Sequence, residues 1–197
     1  MVDAVAMGRK IYSNLKKAIQ YIIPPFTCPL FCDISTIGPG LDLSEYFFPI
    51  HIIFMELIMG PTCSIIYENE PMEKDTMLQK PRAFTTTFFN WKELSTSIVQ
   101  GLVITAGALF VYQYSVNHGG SEAITRTMVF VAMITANIML TLVNRSFHYS
   151  IFTTLRYKNH LVPLIILITI SLTALMVYFQ PMTRFFEFAS LAPDKLE

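Results

Sequence analysis

Three stretches of this chain are apolar, free of charge and long enough to cross a bilayer, and a fourth has one acidic side chain. A hydrocarbon layer about 30 Å thick takes about 20 apolar residues of helix. The runs Leu94 to Val116, Thr127 to Asn144 and Leu161 to Phe179 contain no Asp, Glu, Lys or Arg. The run Pro49 to Tyr67 holds Glu56 at its middle and His51 near one end. In lipid every backbone donor and acceptor needs a partner inside the protein, so runs of this length span as helices. The fold class expected is all-α, a polytopic transmembrane helix bundle. Charge content agrees, at 14% of 197 residues against roughly 25% in soluble domains. A formal net charge of zero gives no pull toward nucleic acid. Cys28, Cys32 and Cys63 are too few and too irregularly spaced for a disulfide framework. Pro29 between Cys28 and Cys32, with no His or Cys nearby, argues against a metal site there.

Lysine and arginine in the short links set the orientation. The N-terminal segment 1–23 has Arg9, Lys10, Lys16 and Lys17, and no cleavable signal is expected in it. Link 68–93 has Lys74, Lys80, Arg82 and Lys92, and link 145–160 has Arg145, Arg156 and Lys158. The hairpin 117–126 offers Arg126 alone, at its end. The basic segments are therefore expected in the cytoplasm and the Gly-rich hairpin outside. Parity then demands one more crossing between Lys17 and Pro49, about five spans in all. The residues available for it are awkward. Pro24 and Pro25 interrupt the helix begun by "IYSNLKKAIQYII", and acidic residues with Gly38, Pro39 and Gly40 follow. Two accounts are open for segment 24–48. One is a local frame disturbance in the coding DNA between about Pro24 and Phe48. The other is a genuine, divergent, non-helical approach to the next span.

The stretch "GRKIYSNLKKAIQY", the loop "MEKDTMLQKPR" and the order of spans around them resemble the C-terminal membrane half of type 2 P-type cation-transporting ATPases, the calcium-pump-like enzymes and especially their bacterial members. The resemblance implies helices five to nine of ten, with 180–197 a truncated tail. It also implies a multi-pass location in a cell membrane, a bacterial inner membrane. In the family the cation moves at the expense of Mg-ATP bound by an N-terminal catalytic half. That half is the implied partner here, beside the bilayer and the transported cation, Ca2+ or another. The phosphorylated-aspartate motif and nucleotide-binding domain are not in these residues, so the chain by itself is expected to hold no cofactor and to hydrolyse no ATP. Both ends are expected to be cuts. The alternative is a stand-alone, non-catalytic membrane module or a decayed remnant without transport activity.

Glu56 is the first candidate cation ligand. A charge at mid-span costs about 2.5–3.5 kcal/mol on insertion scales and faces a bundle interior or a wet path. Pro61 cannot donate to the carbonyl of Leu57, so a carboxylate and a freed carbonyl lie about one turn apart, which suits a hard cation. A protonated Glu56 bonded to a neighbouring helix is the other reading. By the resemblance Glu56 stands where calcium pumps place a ligand in helix six, whereas Met59 and Gly60 replace a hydroxyl and a carboxylate. Asn137 matches the polar ligand position of helix eight, with a plain interhelical hydrogen bond as its alternative. The helix-five ligands have no counterpart, because Phe26 to Pro29 occupy their place. Cys63 reads as a small packing residue. His51 is either interfacial or a proton-sensitive group. The stalk places Ile11, Leu15, Ala18, Ile19 and Ile22 at three- and four-residue steps, giving one apolar face.

Overall fold

The computed structural model describes residues 2–35, 49–72, 76–78, 91–145 and 159–189; side chains 26–35, 49, 63 and 64 fall outside what it describes. Among the described residues six α-helices follow in order: α1 (Val2–Ser35), α2 (Pro49–Pro61), α3 (Trp91–Asn117), α4 (Glu122–Val143), α5 (Leu161–Tyr178) and α6 (Gln180–Phe185). A π-helical segment, Thr62–Tyr67, continues α2 without a break. There is no strand among the described residues. Four helical stretches are long and apolar enough to cross a membrane: Ile50–Tyr67, Trp91–Asn117, Glu122–Val143 and Leu161–Tyr178. Half of the α4 span is buried, against 22% of α3, so α4 is the central helix.

α1 differs from expectation at Pro24-Pro25. The helix runs on past both prolines and Pro29 to Ser35. Each proline removes one backbone donor, but its fixed φ is close to the helical value. Surrounding helices can satisfy the freed carbonyls of such an interrupted helix in a membrane. At 34 residues the helix is about 51 Å long. The remainder of segment 24–48, from 36 onward, lies outside the described residues, as do 79–90 and 146–158 of the two cytoplasmic links.

The stalk packs by a largely polar face. Ile11 (60% exposed) and Leu15 (50%) point outward, while Asn14, Lys17, Gln20 and Tyr21 are buried. The reason is the surface it meets. The end of the bundle that the stalk meets offers backbone carbonyls of the link after Tyr67 and the Glu93 carboxylate, and the polar stalk face supplies donors to them. Arg9 donates to Thr76 O (2.7 Å), Asn14 to Glu70 O (2.9 Å) and Gln20 to Glu93 O (3.4 Å). Lys16 forms an ion pair with Glu93 at 2.6 Å.

The hairpin between α3 and α4 is tighter than expected, because α4 starts at Glu122 rather than Thr127. Ser121 caps it, its side chain accepting from the Ile124 amide. At the end of α3, Gly119 takes a left-handed conformation (φ 71°), and the Gly120 amide reaches back to Ser115 O at 2.9 Å. That pairing closes a glycine C-cap. A Cβ on Gly120 would strike the Ser115 hydroxyl and stand 3.0 Å from the Ser115 carbonyl. The hydroxyl is itself committed, 2.8 Å from Thr125 Oγ1 across the hairpin. Gly120→Ala is therefore expected to cost about 1–3 kcal/mol through overpacking, read as a lowered unfolding midpoint. An unchanged midpoint would show that the hairpin opens freely.

Three apolar clusters hold the bundle. In the largest, Met55, Ile58, Ala108, Tyr112, Val129, Phe130, Met133 and Met176 meet Phe186 and Phe188 beyond α6. A second, of Tyr21, Met59, Tyr67 and Leu140, joins the stalk to α2 and α4. A third packs Ile66 on Val162 and Ile165 of α5. Most outward-facing side chains of the spans are apolar, with Phe110 70% and Leu167 62% exposed, as lipid-facing surface requires; Glu56, Gln113 and Thr135 are exposed polar exceptions.

Candidate cation pathway

Asn137 sits on the central helix, 5% exposed. Its carbonyl oxygen Oδ1 is buried and accepts no hydrogen bond. The buried threonines of the spans behave differently. Thr62 donates to Ile58 O, Thr105 to Gly101 O, Thr141 to Asn137 O and Thr173 to Thr169 O, each within its own helix at 2.8–2.9 Å. A dry interior makes an unpaired amide oxygen expensive. Asn137 is thus a polar point with an unspent acceptor, in a core that elsewhere satisfies its hydroxyls locally.

Glu56 lies on the exposed side of α2. Ile53 (64% exposed) and Leu57 (65%) flank it on that side, while Met55, Ile58 and Met59 turn inward. The carboxylate therefore belongs to an apolar face that the described chain leaves uncovered. The two candidate ligands come from helices that pack together, with Met59 of α2 and Leu140 of α4 in one cluster. They are not brought into direct hydrogen bonding with one another. No group of three or more His, Cys, Asp or Glu able to hold a metal ion occurs among the described residues. Cys28, Cys32 and Cys63 have side chains outside the described set.

One feature of this region escaped the sequence reading. The proline at 61 is followed at once by the π segment Thr62–Tyr67. A π turn widens the helix and shifts the register of its carbonyls, and such turns are frequent at functional sites. Thr62 Oγ1 takes the Ile58 carbonyl at 2.8 Å, while the proline leaves that of Leu57 without its helical donor. The Pro61-Thr62 pair was the available signal.

His51 is not exposed. It is fully buried, and its Nε2–H donates to Phe186 O at 3.0 Å. Phe188 lies 5.0 Å away and Phe130 5.8 Å, ring centre to ring centre. The reason lies beyond α5. The chain there folds back so that Phe186 and Phe188 cover the external end of α2, a packing that no local pattern announces. Arg126 joins the same external closure, donating to Glu187 O (3.1 Å) and Oε2 (3.0 Å).

These helices define a class, a multi-pass α-helical membrane protein with a polar point buried at its central span. Comparison with known proteins gives the family. Residues 44–196 match the family model described as cation transporting ATPase, C-terminus, and the chain belongs to that family. It is 22% identical over 193 residues to the human calcium-transporting ATPase type 2C member 1, covering 98% of this chain and 21% of that protein. A calcium-transporting ATPase of Bacillus subtilis is 24% identical over 197 residues, covering 97% of the chain and 21% of the relative. One from Listeria monocytogenes is 27% identical over 146 residues, covering 74% and 16%. The chain thus corresponds to the C-terminal membrane portion of a type 2 P-type ATPase and spans about a fifth of the length of these relatives.

Proposed function

We propose that the chain forms the cation-translocating membrane part of an ATP-driven pump, with Glu56 and Asn137 as side-chain ligands on the path. The observation that carries this reading is the unspent, buried oxygen of Asn137. It lies on a helix packed against α2, which bears a mid-span carboxylate, a helix-interrupting proline and a π turn. Oxygen donors of that kind fit a hard cation. The relatives are calcium-transporting ATPases by name, which supports calcium as the first cation to try. Met59 and Gly60 supply neither hydroxyl nor carboxylate, which favours a site with fewer acidic ligands and leaves other cations in the trial set. Energy comes from Mg-ATP in a catalytic half that this reading places upstream in the whole protein, and the setting is a bacterial inner membrane.

The test is ATP-driven cation uptake into inverted membrane vesicles carrying the whole pump, with Ca2+, Mn2+, K+ and Na+ tried in turn. Uptake that depends on Glu56 and Asn137 supports the assignment. Uptake of every tested cation that survives both substitutions would sink it.

A further inference from the structure

We infer that Glu70 is a positioning residue, the joint that makes the stalk move as one body with the cytoplasmic ends of α4 and α5. Glu70 follows the π segment and is 2% exposed. Its carboxylate meets Arg145, just past α4 and 3% exposed. Arg145 Nε donates to Oε1 at 3.2 Å, and Nη2 lies 3.0 Å from Oε1 as an ion-pair contact without hydrogen-bond alignment. Asn159, at the entrance to α5, donates to Oε2 at 2.8 Å and also reaches Ile66 O at 3.2 Å. The backbone carbonyl of the same glutamate accepts from Asn14 of the stalk at 2.9 Å.

One buried residue therefore ties four parts of the chain together: the stalk, the end of the second span, α4 and α5. Such a pair is costly to desolvate and contributes little net stability over an apolar substitute. What it does provide is a fixed geometry, because each bond is directional and water is excluded from competing for it. The other stalk contact of opposite charges, Lys16 with Glu93, is less buried, at 14% and 24% side-chain exposure, and is weaker for that reason. Asn137 lies about 12 Å along the axis from Arg145, and Glu56 roughly 21 Å from Glu70, by helical rise. A displacement of the stalk thus reaches both candidate ligands through the Glu70 joint. The joint rests on the contacts alone, and its use in transport rests on the function proposed above.

The experiment measures distances in the 197-residue chain in lipid nanodiscs and needs no transport. Spin labels go on Met7→Cys and His160→Cys to report stalk against α5, and on Met139→Cys and Leu164→Cys to report α4 against α5. Cys28, Cys32 and Cys63 are replaced by serine. Glu70→Gln is expected to broaden both distance distributions about twofold, as loss of a local anchor does. Asn14→Ala should broaden the stalk distance alone. Exchanging the charges, Glu70→Arg with Arg145→Glu, should restore the narrow distributions, which a role in bulk packing would not do. Lys16→Gln should leave both narrow. The inference is overturned if Glu70→Gln and Asn14→Ala match the parent, or if Lys16→Gln loosens the stalk as much. Should Glu70→Gln fail to fold, Asn14→Ala decides the matter, because it leaves the ion pair whole and an unchanged stalk distance then refutes the joint. Narrow distributions that coexist with failed uptake would uphold the joint and count against the cation site.

Discussion

Glu56→Gln in the whole pump is expected to lower apparent affinity for the transported cation by at least about tenfold, with uptake falling accordingly. The substitution is nearly isosteric, so packing around α2 is preserved, and it removes only the negative charge. A charge-assisted contact is worth about 1.5–3 kcal/mol, which is roughly a 10- to 150-fold change at 1.4 kcal/mol per decade. Glu56 lies on an exposed face of α2, so folding should be little disturbed and the effect should appear in function. Asn137→Ala should act in the same direction with a smaller effect, since a neutral amide oxygen is the weaker ligand. The pattern of the two is informative. A cation dependence moved by Glu56→Gln and left alone by Asn137→Ala would reduce Asn137 to an interhelical polar contact. A pump indifferent to Glu56→Gln would mean that the carboxylate is not a ligand.

Arg145→Ala is expected to be the most damaging single change to stability, about 3–5 kcal/mol, because it strands the Glu70 carboxylate in a dry junction. Glu70 keeps the Asn159 amide at 2.8 Å, yet one neutral donor does not replace a guanidinium. The reading is a lower thermal midpoint of the chain in nanodiscs, followed by loss of helicity. Replacing both partners with apolar residues of similar volume, Glu70→Leu with Arg145→Met, should recover most of that stability. The distance measurements above would then show a stable protein with a loose stalk. By contrast Lys16→Ala should cost no more than about 1 kcal/mol. An Arg145→Ala midpoint equal to that of Lys16→Ala would mean that water reaches the junction and the pair is not buried in practice.

The external closure is a contrast to this junction. There His51, Arg126 and the segment past α6 interlock through backbone carbonyls and aromatic rings. His51 and Arg126 each donate to a carbonyl of that segment, and most of the remaining contact is apolar. The stalk end is polar and directional, the opposite end largely apolar.

How legible all this was depends on the scale of the signal. The spans were legible because lipid imposes one rule on every residue of a run: about 20 apolar positions and no unpaired backbone. The runs at 94–116 and 161–179 need no partner to be read, and α3 and α5 occupy them. Basic loops told which ends share a side, and Glu70, Glu93, Arg145 and Asn159 do converge around the stalk. Glu56 and Asn137 stood out for a similar reason, since a polar side chain in mid-span is conspicuous without any structure. The face by which the stalk packs was not legible: Ile11 and Leu15 are exposed, while Arg9 and Asn14 donate to backbone carbonyls of the link after Tyr67. Pro24 and Pro25 forbid two hydrogen bonds, yet do not forbid the helix once neighbours surround it. Composition and periodicity thus determined by themselves that this chain is a bundle of membrane helices with polar residues at its centre. Only the tertiary structure decided which of those residues keep an unspent atom and which are tied together. Hydrogen bonds between positions 56 to 93 residues apart, such as Asn14 with Glu70 and Ile66 with Asn159, leave no periodic trace in sequence. They depend on how helix ends meet in space, and the local rules that build each helix do not encode that.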